Sequence, residues 1–221
     1  MEKGKSETVG IPAPKFQTVI AEIEGTSPLV LNRFSEKARM QIRERQVEGM
    51  ASKSKRPREP KDFQACYQAA IHRSVEGWFG IPAAAIRNAM ISACRLVGFQ
   101  MTRAKMAVFC LPDGFSEDGT PLVKITRGEP VYFESYTRNE TGVVDLRARP
   151  MWREGWRALV RIRFDADMFA TTDVLNLLHR AGQQVGIGEG RNDSKNSNGM
   201  GWGAFRIIEE GESGGREAAS N

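Results

Sequence analysis

The sequence predicts an α+β fold of the ferredoxin-like or RRM type, in which a βαββαβ chain builds one antiparallel sheet with both helices on one face. Three observations lead to this prediction. With insertions set aside, the predicted elements follow the order strand, helix, strand, strand, helix, strand. Residues 157–164 alternate between apolar side chains and mainly arginines, as in a strand with one buried face. Residues 82–97 and 172–184 carry apolar side chains at helical spacing.

The first part of the chain is predicted to hold one strand and one exposed helix. Residues 1–14 are polar and are broken by two prolines, so we expect a flexible arm. Residues 16–24 are rich in β-forming residues and are followed by a glycine, which indicates a strand. Ser35 can cap a mostly charged helix that runs to about Val47. A basic loop that contains two prolines follows at residues 52–61.

Two helices that face the core are predicted next. The first begins at Asp62, which can cap it, and stops at about Gly77. The second follows Pro82 and ends at Gly98, a residue type that commonly follows the last helical turn. The apolar residues of the first helix are Phe63, Cys66, Tyr67, Ala70 and Ile71. Those of the second are Ile86, Met90, Ala93, Cys94 and Val97.

The second half of the chain supplies the remaining elements. Thr172 or Asp173 can cap the helix predicted over residues 172–184, and residues 210–221 are predicted to form a disordered tail. The further predicted strands are 105–111, 131–135, 157–164 and 204–208. In strand 157–164 the residues predicted to point inward are Ala158, Val160, Ile162 and Phe164, and those predicted to point outward are Arg157, Arg161 and Arg163. The apolar stripe of the last helix is Val174, Leu177, Leu178, Ala181 and Val185.

Length and charge limit the organisation of the chain. Its 221 residues suit one domain with insertions. We expect residues 15–209 to form a single RRM-like domain with insertions at about 33–77 and 112–156. The formal net charge of +5 is modest, but basic residues are concentrated in residues 33–61 and 138–163 and can form a patch. The sequence shows neither a long apolar run nor a signal peptide, so we expect a cytoplasmic protein that does not interact with membranes.

The cysteine and histidine content argues against a metal site. Three cysteines show no C-x-x-C spacing and are expected to be small buried hydrophobic residues in a reducing compartment. The two histidines lack a neighbouring acidic cluster. We therefore expect no metal ion and no cofactor.

Residues 186–205, GIGEGRNDSKNSNGMGWGAF, contain two G-x-G-x-G triplets on either side of a polar segment. A Rossmann-type phosphate turn must follow a strand and open a helix. This segment instead follows a predicted helix and leads into a predicted strand, which excludes that motif. Two alternatives remain open: a turn whose glycines serve packing alone, or a loop whose backbone N–H groups hold a sugar-phosphate chain.

Three segments carry a family resemblance that covers residues from about 22 to 208. They are EIEGTSPLVLNRFSEKAR at residues 22–39, GIPAAAIRNAMISACR at residues 80–95, and LLHRAGQQVGIGEGR followed by GMGWGAFRI at residues 177–207. In this order they resemble the RAMP superfamily, the RRM-like proteins that build CRISPR effector complexes. The similarity is closest to backbone subunits or a phage-encoded relative. It implies an RRM-like fold whose copies assemble side by side along a single-stranded nucleic acid, together with other subunits of an effector complex.

The candidate nucleic-acid-binding residues lie in four segments. Open glycine amides and arginines can hold phosphates, and aromatic rings can stack on any base. Each segment also has a structural alternative: loop packing, an exposed helical arginine, core tryptophans beneath a solvated cationic hairpin, or a solvated loop. The candidates are Lys53, Lys55, Arg56 and Arg58 in the basic loop, Arg87 in the second core-facing helix, Arg147, Arg149, Trp152, Arg153 and Arg157 in a hairpin with its turn at Gly142, and Gly188, Gly190, Arg191, Lys195, Gly199, Gly201 and Trp202 in the glycine-rich loop.

The sequence favours a binding protein over an enzyme. His72 and His179 are both predicted to lie within helices as structural residues, and Asp62 is explained as a helix cap. The expected function is sequence-independent binding of single-stranded RNA or DNA by a homo-oligomer. Two alternatives are a metal-independent endoribonuclease of the same fold and an assembly protein that binds no nucleic acid.

Overall fold

The computed structural model describes residues 10–33, 40, 61–138, 144–193 and 199–208. Within them, a 3-10 helix covers Cys94–Val97 and a π-helical turn covers Ala181–Val185. The α-helices are α1 Phe63–Ala70, α2 Ala83–Ala93, α3 Met101–Ala107 and α4 Thr171–Arg180. The strands are β1 Phe16–Gly25, β2 Leu29–Val30, β3 Gly80–Pro82, β4 Val108–Leu111, β5 Gly114–Phe115, β6 Pro121–Arg127, β7 Val131–Arg138, β8 Val144–Trp152, β9 Arg157–Asp165 and β10 Phe205–Ile207.

The main sheet has the strand order of a ferredoxin-like fold. Strand β1 lies between β10 and β9, and all of its pairings are antiparallel. The other side of β9 is shared by β4, along the second half of β9, and by β6, at its beginning. Helices α2 and α4 contribute their buried residues to one core beneath this sheet. The predicted fold class is therefore confirmed by the topology itself.

Strand β9 is the central strand of the sheet and shows the predicted alternation. Ala158, Val160, Ile162 and Phe164 are each at most 1% exposed. The arginines point to the opposite face, where Arg163 is exposed. Because successive side chains of a strand point to opposite faces, this one pattern determines which face of the sheet is covered by helices.

A second, three-stranded sheet is built by β2, β8 and β7. Strands β7 and β8 form the predicted hairpin, with Phe133 opposite Arg149 and Ser135 opposite Arg147. Helix α1 packs on one face of this hairpin, where Tyr67 contacts the buried Ala148. The hairpin therefore has one face covered by α1 and one face left for other contacts.

Two predicted elements have different bounds in the structure. Helix α1 ends at Ala70 because the chain then turns: His72 accepts a hydrogen bond at its carbonyl from the Gly80 amide, and Ser74 donates its amide to the Trp78 carbonyl. His72 is thus outside a helix, contrary to the prediction. The strand predicted over 105–111 begins only at residue 108, since the preceding residues complete α3.

Three smaller sequence predictions are also corrected. Helix α4 begins before Thr172, and its N-cap is Ala170, whose amide is accepted by the carboxylate of Asp173 at 3.1 Å. Val97 is 51% exposed because the chain has left the α-helix by then. Strand β6 was not predicted, since its consecutive residues Leu122 and Val123 are both buried and break the alternation. The cap predicted at Asp62 is confirmed by its hydrogen bond from the Ala65 amide at 2.9 Å.

Several predictions lie outside the described residues and stay predictions. They concern most of the arm 1–14, the helix from Ser35 to Val47, the turn at Gly142 and the tail 210–221. The domain bounds are likewise untested. Within the described ranges, no helix has the length and apolar character needed to cross a membrane.

Candidate nucleic-acid interface

The structure brings the hairpin and the glycine-rich loop together. Phe133 of β7 and Trp202 of the loop meet edge to face, with ring centroids 5.5 Å apart. Arg149 of β8 donates from Nε to Glu189 Oε2 of the loop at 3.1 Å. Arg147 lies on the same hairpin face, because it is two residues from Arg149 along the strand. We call the face formed by these five side chains the hairpin–loop surface.

Part of the glycine-rich loop is glycine because of close packing. A Cβ on Gly203 would lie 1.8 Å from the Ile187 carbonyl oxygen, and one on Gly188 would lie 2.4 Å from the Val30 carbonyl oxygen. A Cβ on Gly190 would meet the Trp202 ring at 2.4 Å. Real Cβ atoms are not found at such distances, so these glycines let the loop pack against β2 and against itself.

Two glycines of the second triplet, Gly199 and Gly201, have a different environment. Among the described residues, a Cβ on Gly201 would find its nearest neighbour, Asn192 Oδ1, at 4.0 Å, and one on Gly199 would meet nothing within 4 Å. Gly201 and Gly199 have positive φ, 73° and 63°. Their backbone conformation favours glycine, whereas packing against the described residues does not require it.

The backbone amides of the loop fall into two groups, those with a hydrogen-bond acceptor and those without one. Ile187, Glu189 and Gly203 donate their N–H groups to the carbonyls of Gly203, Val30 and Pro28, at 3.0, 2.8 and 2.7 Å. Within the described part of the chain, the N–H groups of Gly188, Gly190 and Gly201 have no acceptor. Backbone N–H groups in such turns can bind an anion such as a phosphate. The amides of Ile187, Glu189 and Gly203 are therefore not available to a phosphate.

Arg191 stabilises the loop through hydrogen bonds to two backbone carbonyl groups. Its Nη1 donates to the Gly188 carbonyl at 2.9 Å and its Nε donates to the Asp193 carbonyl at 3.1 Å. Asp193 also forms an ion pair with Arg95. A hydrogen bond from Ser92, together with Arg95, holds the pKa of the Asp193 carboxyl below its usual range. Arg191 therefore brings positive charge to the loop while its donors hold the backbone in shape.

At one end of the hairpin, Arg147 and Lys61 pair with the same carboxylate. Arg147 Nε lies 3.2 Å from Asp145, and Lys61 Nζ lies 3.1 Å from the same carboxyl group. Two cations thus share one carboxylate, whose pKa is lowered since the hydrogen bonds from Lys61 and Arg147 outweigh its burial. Lys61 and Arg147 therefore place two cations beside one carboxylate at this edge of the hairpin–loop surface.

Two predicted site residues are corrected by their burial. Trp152 is fully buried and meets Phe79 edge to face at 6.2 Å, so it cannot stack on a base in this conformation. Arg157 lies on the main sheet, where it donates to Glu24 Oε1 at 2.9 Å with its side chain 12% exposed. Both residues lie at the junction of the two sheets, where the core excludes water.

Other predicted residues lie apart from the hairpin–loop surface or outside the described ranges. Arg87 donates from Nε to the Val108 carbonyl at 2.8 Å and from Nη2 to the Lys105 carbonyl, which directs it towards β4. Arg153 is exposed in the turn after β8. The candidates outside the described residues are Lys53, Lys55, Arg56, Arg58 and Lys195.

A cleft of about 310 Å³ lies between α2 and the glycine-rich loop. Sequence analysis missed it because its walls come from four segments that are distant along the chain. The only sequence signal was the 3.6-residue periodicity of α2, which places residues 85, 88 and 92 on one side. Its polar lining residues include Asn32, His72, Asn88, Ser92, Glu189 and Arg191.

Comparison with known proteins gives structural likenesses but no match to the sequence. No family model and no curated protein matches the sequence. Among solved structures, the chain is similar to the crystal structure of Cmr6 from Pyrococcus furiosus, with 11% identity and a TM-score of 0.43. The match covers 88% of this chain and 98% of that chain.

Proposed function

We propose that this chain binds single-stranded RNA or DNA without sequence preference, assembles as a homo-oligomer along the strand, and does not cleave it. The observation that carries the proposal is the hairpin–loop surface. It combines an aromatic pair, Phe133 and Trp202, with Arg147 and with loop amides that have no acceptor among the described residues. Phosphate-binding groups beside a stacking ring are the combination that single strands require.

The chemistry of this surface favours binding without base selection. Backbone N–H groups and arginines contact phosphates, which are the same in every nucleotide. Trp202 is half-buried, so the accessible part of its ring can stack on any base. Apart from the cleft residues, the surface offers few amide side chains that could discriminate between base edges.

The far end of the hairpin supports self-assembly as part of the proposal. Tyr136 is 75% exposed and Val144 is 55% exposed, although both lie on the hairpin face that α1 covers further along the strands. Tyrosine is enriched in protein interfaces. We therefore assign the covering of this end of the hairpin to a neighbouring copy or another subunit of a complex.

The direct test is a titration of labelled single-stranded RNA, single-stranded DNA and duplex into the purified protein at several salt concentrations. We expect single strands to bind more tightly than duplex, with an affinity that falls steeply as salt is raised, because phosphate binding releases counterions. Analytical ultracentrifugation with strands of increasing length should show more copies on longer strands. Negligible binding to all three at low salt would contradict the proposal and favour a protein that assembles without nucleic acid.

Reversing the charge of Arg147 should weaken binding at this surface. For Arg147→Glu we expect the slope of log affinity against log salt to become shallower by about 0.7, the value for one lost phosphate contact on a single strand. Lys124→Glu is the matched control, since Lys124 is exposed on β6 and undergoes the same change of charge. An equal loss in both variants would mean that only net charge matters.

Trp202 should report the bound strand by its fluorescence. We expect a single strand to quench tryptophan emission in the native protein and expect Trp202→Phe to remove most of that quenching, because a stacked base lies against the ring. Phenylalanine keeps an aromatic contact with Phe133. Trp78→Phe is the control, since Trp78 is not part of the hairpin–loop surface and its indole N–H donates to Glu76 Oε2. Undiminished quenching in the Trp202 variant would exclude stacking at this residue.

A metal-independent endoribonuclease is the second candidate, because His72 lines the cleft. We nevertheless expect the native protein, His72→Ala and the exposed-residue control His179→Ala to leave a labelled RNA intact in the presence of EDTA. His179 is exposed on α4 and lies apart from the cleft lining. Cleavage that His72→Ala abolishes while binding persists would establish the enzyme instead.

A further inference from the structure

The open face of the main sheet carries a row of rings and guanidinium groups apart from the hairpin–loop surface. Phe16 of β1 and Phe109 of β4 meet edge to face with centroids 5.9 Å apart. The Arg163 guanidinium of β9 lies 4.2 Å from the Phe16 ring centroid, and that of Arg87 lies 5.4 Å from the Phe109 ring centroid. We call these four side chains the sheet-face row.

The row is accessible and keeps its positive charge. Phe16 is 37% exposed and Arg163 is exposed. Within the described residues, no carboxylate lies within ion-pair distance of Arg163 or Arg87, and Arg87 uses two of its donors on carbonyl oxygens. Two acidic residues follow Arg163 along the chain: Asp165, opposite Phe16 in the strand pairing, and Asp167, which pairs with Lys15 at 3.5 Å.

From this arrangement we propose that the sheet-face row is a second contact site for single-stranded nucleic acid, which binds a more distant part of the strand held at the hairpin–loop surface. The inference rests on the proposed function. Two adjacent rings with a guanidinium group on either side fit bases and phosphates, because rings can stack on any base and the cations attract the backbone. Uncompensated positive charge would disfavour a second copy of this basic chain.

The two surfaces lie at opposite ends of one strand. Phe16 begins β1 and Gly25 ends it, beside the turn that leads to β2 and the loop: Thr26 donates its amide to the Ala204 carbonyl at 3.0 Å. Ten strand residues span about 30 Å. A short oligonucleotide can therefore reach one surface only, whereas a longer one can bind both and gain affinity through the second, intramolecular contact.

The test compares oligothymidylates of about 4 and about 15 nucleotides, spanning the range of known single-strand site sizes. Fluorescence anisotropy should show that Phe16→Ala weakens binding of the long strand by about five-fold or more and leaves the short strand unchanged. Arg163→Gln should make the salt slope of the long strand shallower by about 0.7. Ile20→Ala is the matched control, since Ile20 is 58% exposed on the same strand and face.

Each outcome separates the inference from the proposed function. Unchanged affinity of the long strand for both variants would overturn the second site while leaving the first intact. A change in self-association without a change in long-strand affinity would also overturn it and would assign the row to a protein contact. No binding of either length by the native protein would overturn the proposed function and this inference together.

Discussion

Replacing Gly203 by alanine is expected to destabilise the protein by more than about 4 kcal/mol, enough to unfold a typical domain of this size. Its φ of 71° is unfavourable for alanine, and the added Cβ would lie 1.8 Å from the Ile187 carbonyl oxygen. That oxygen is backbone and cannot move without separating the loop from β10. Because Ile187 and Gly203 also share a hydrogen bond of 3.0 Å, the two halves of the loop would part.

Gly201→Ala is the matched control for this prediction. It has nearly the same φ, 73°, but its Cβ would meet nothing closer than 4.0 Å. We expect a loss of about 1 to 2 kcal/mol, the cost of left-handed backbone for an L-residue. Urea denaturation followed by circular dichroism measures both values. Equal losses would show that φ alone explains the glycine at position 203.

The second large effect is expected at Glu24, which is 8% exposed near the end of β1, between β10 and β9. Its Oε1 accepts from Arg157 Nη2 at 2.9 Å and its Oε2 accepts from Arg206 Nη2 at 2.8 Å. Glu24→Gln would leave two guanidinium groups close together without their counter-charge. We expect a loss of about 2 to 4 kcal/mol, since removing one partner of a largely buried ion pair exposes the remaining charge to an unfavourable environment. Glu22→Gln is the control, as Glu22 lies 3.9 Å from Arg157 and is more exposed.

The same cluster predicts the pH dependence of stability. Burial alone would raise the pKa of Glu24, but hydrogen bonds from Arg206 and Arg157 outweigh it and hold the pKa below 4.5. A carboxyl group with a lowered pKa stabilises the fold above its unfolded-state pKa, and that contribution is lost as the pH falls through the folded-state value. Asp118 has a lowered pKa as well, because bonds from Ser116 and Thr120 and the charge of Arg33 outweigh its burial.

We therefore expect the native protein to lose stability below about pH 4.5 and the Glu24→Gln variant to lose less over the same interval. Thermal denaturation between about pH 3 and 6 measures both. Parallel curves for the two proteins would mean that Glu24 is not among the groups responsible.

The spacing of apolar residues predicted the buried face correctly for elements that pack one face on the core and expose the other. The stripe of α4 is buried as predicted, and β9 has its arginines on the open face. These patterns succeed because strand and helix geometry alone relate spacing to direction. They failed at His72, where the chain turns and Gly80 donates its amide to the His72 carbonyl. They also failed at β6, where two consecutive buried residues break the alternation.

The candidate site was only partly accessible to such reasoning. A mixture of arginine and tryptophan in residues 147–157 looks uniform in sequence, yet Trp152 and Arg157 are largely buried where the two sheets meet, whereas Arg149 contacts the loop. The difference arises because β8 ends in a turn and β9 continues in another sheet. No local spacing contains that information.

By itself, the sequence determined the order of the core βαββαβ elements, the buried faces of β9 and α4, and the presence of a glycine-rich loop. Only the tertiary structure decided which glycines serve packing, because a Cβ clash depends on backbone from distant segments such as Val30 and Ile187. It likewise decided which arginines are paired with a carboxylate of another element: Arg149 with Glu189 and Arg157 with Glu24. Periodicity is a property of one segment, whereas burial and ion pairing are properties of the segments that meet.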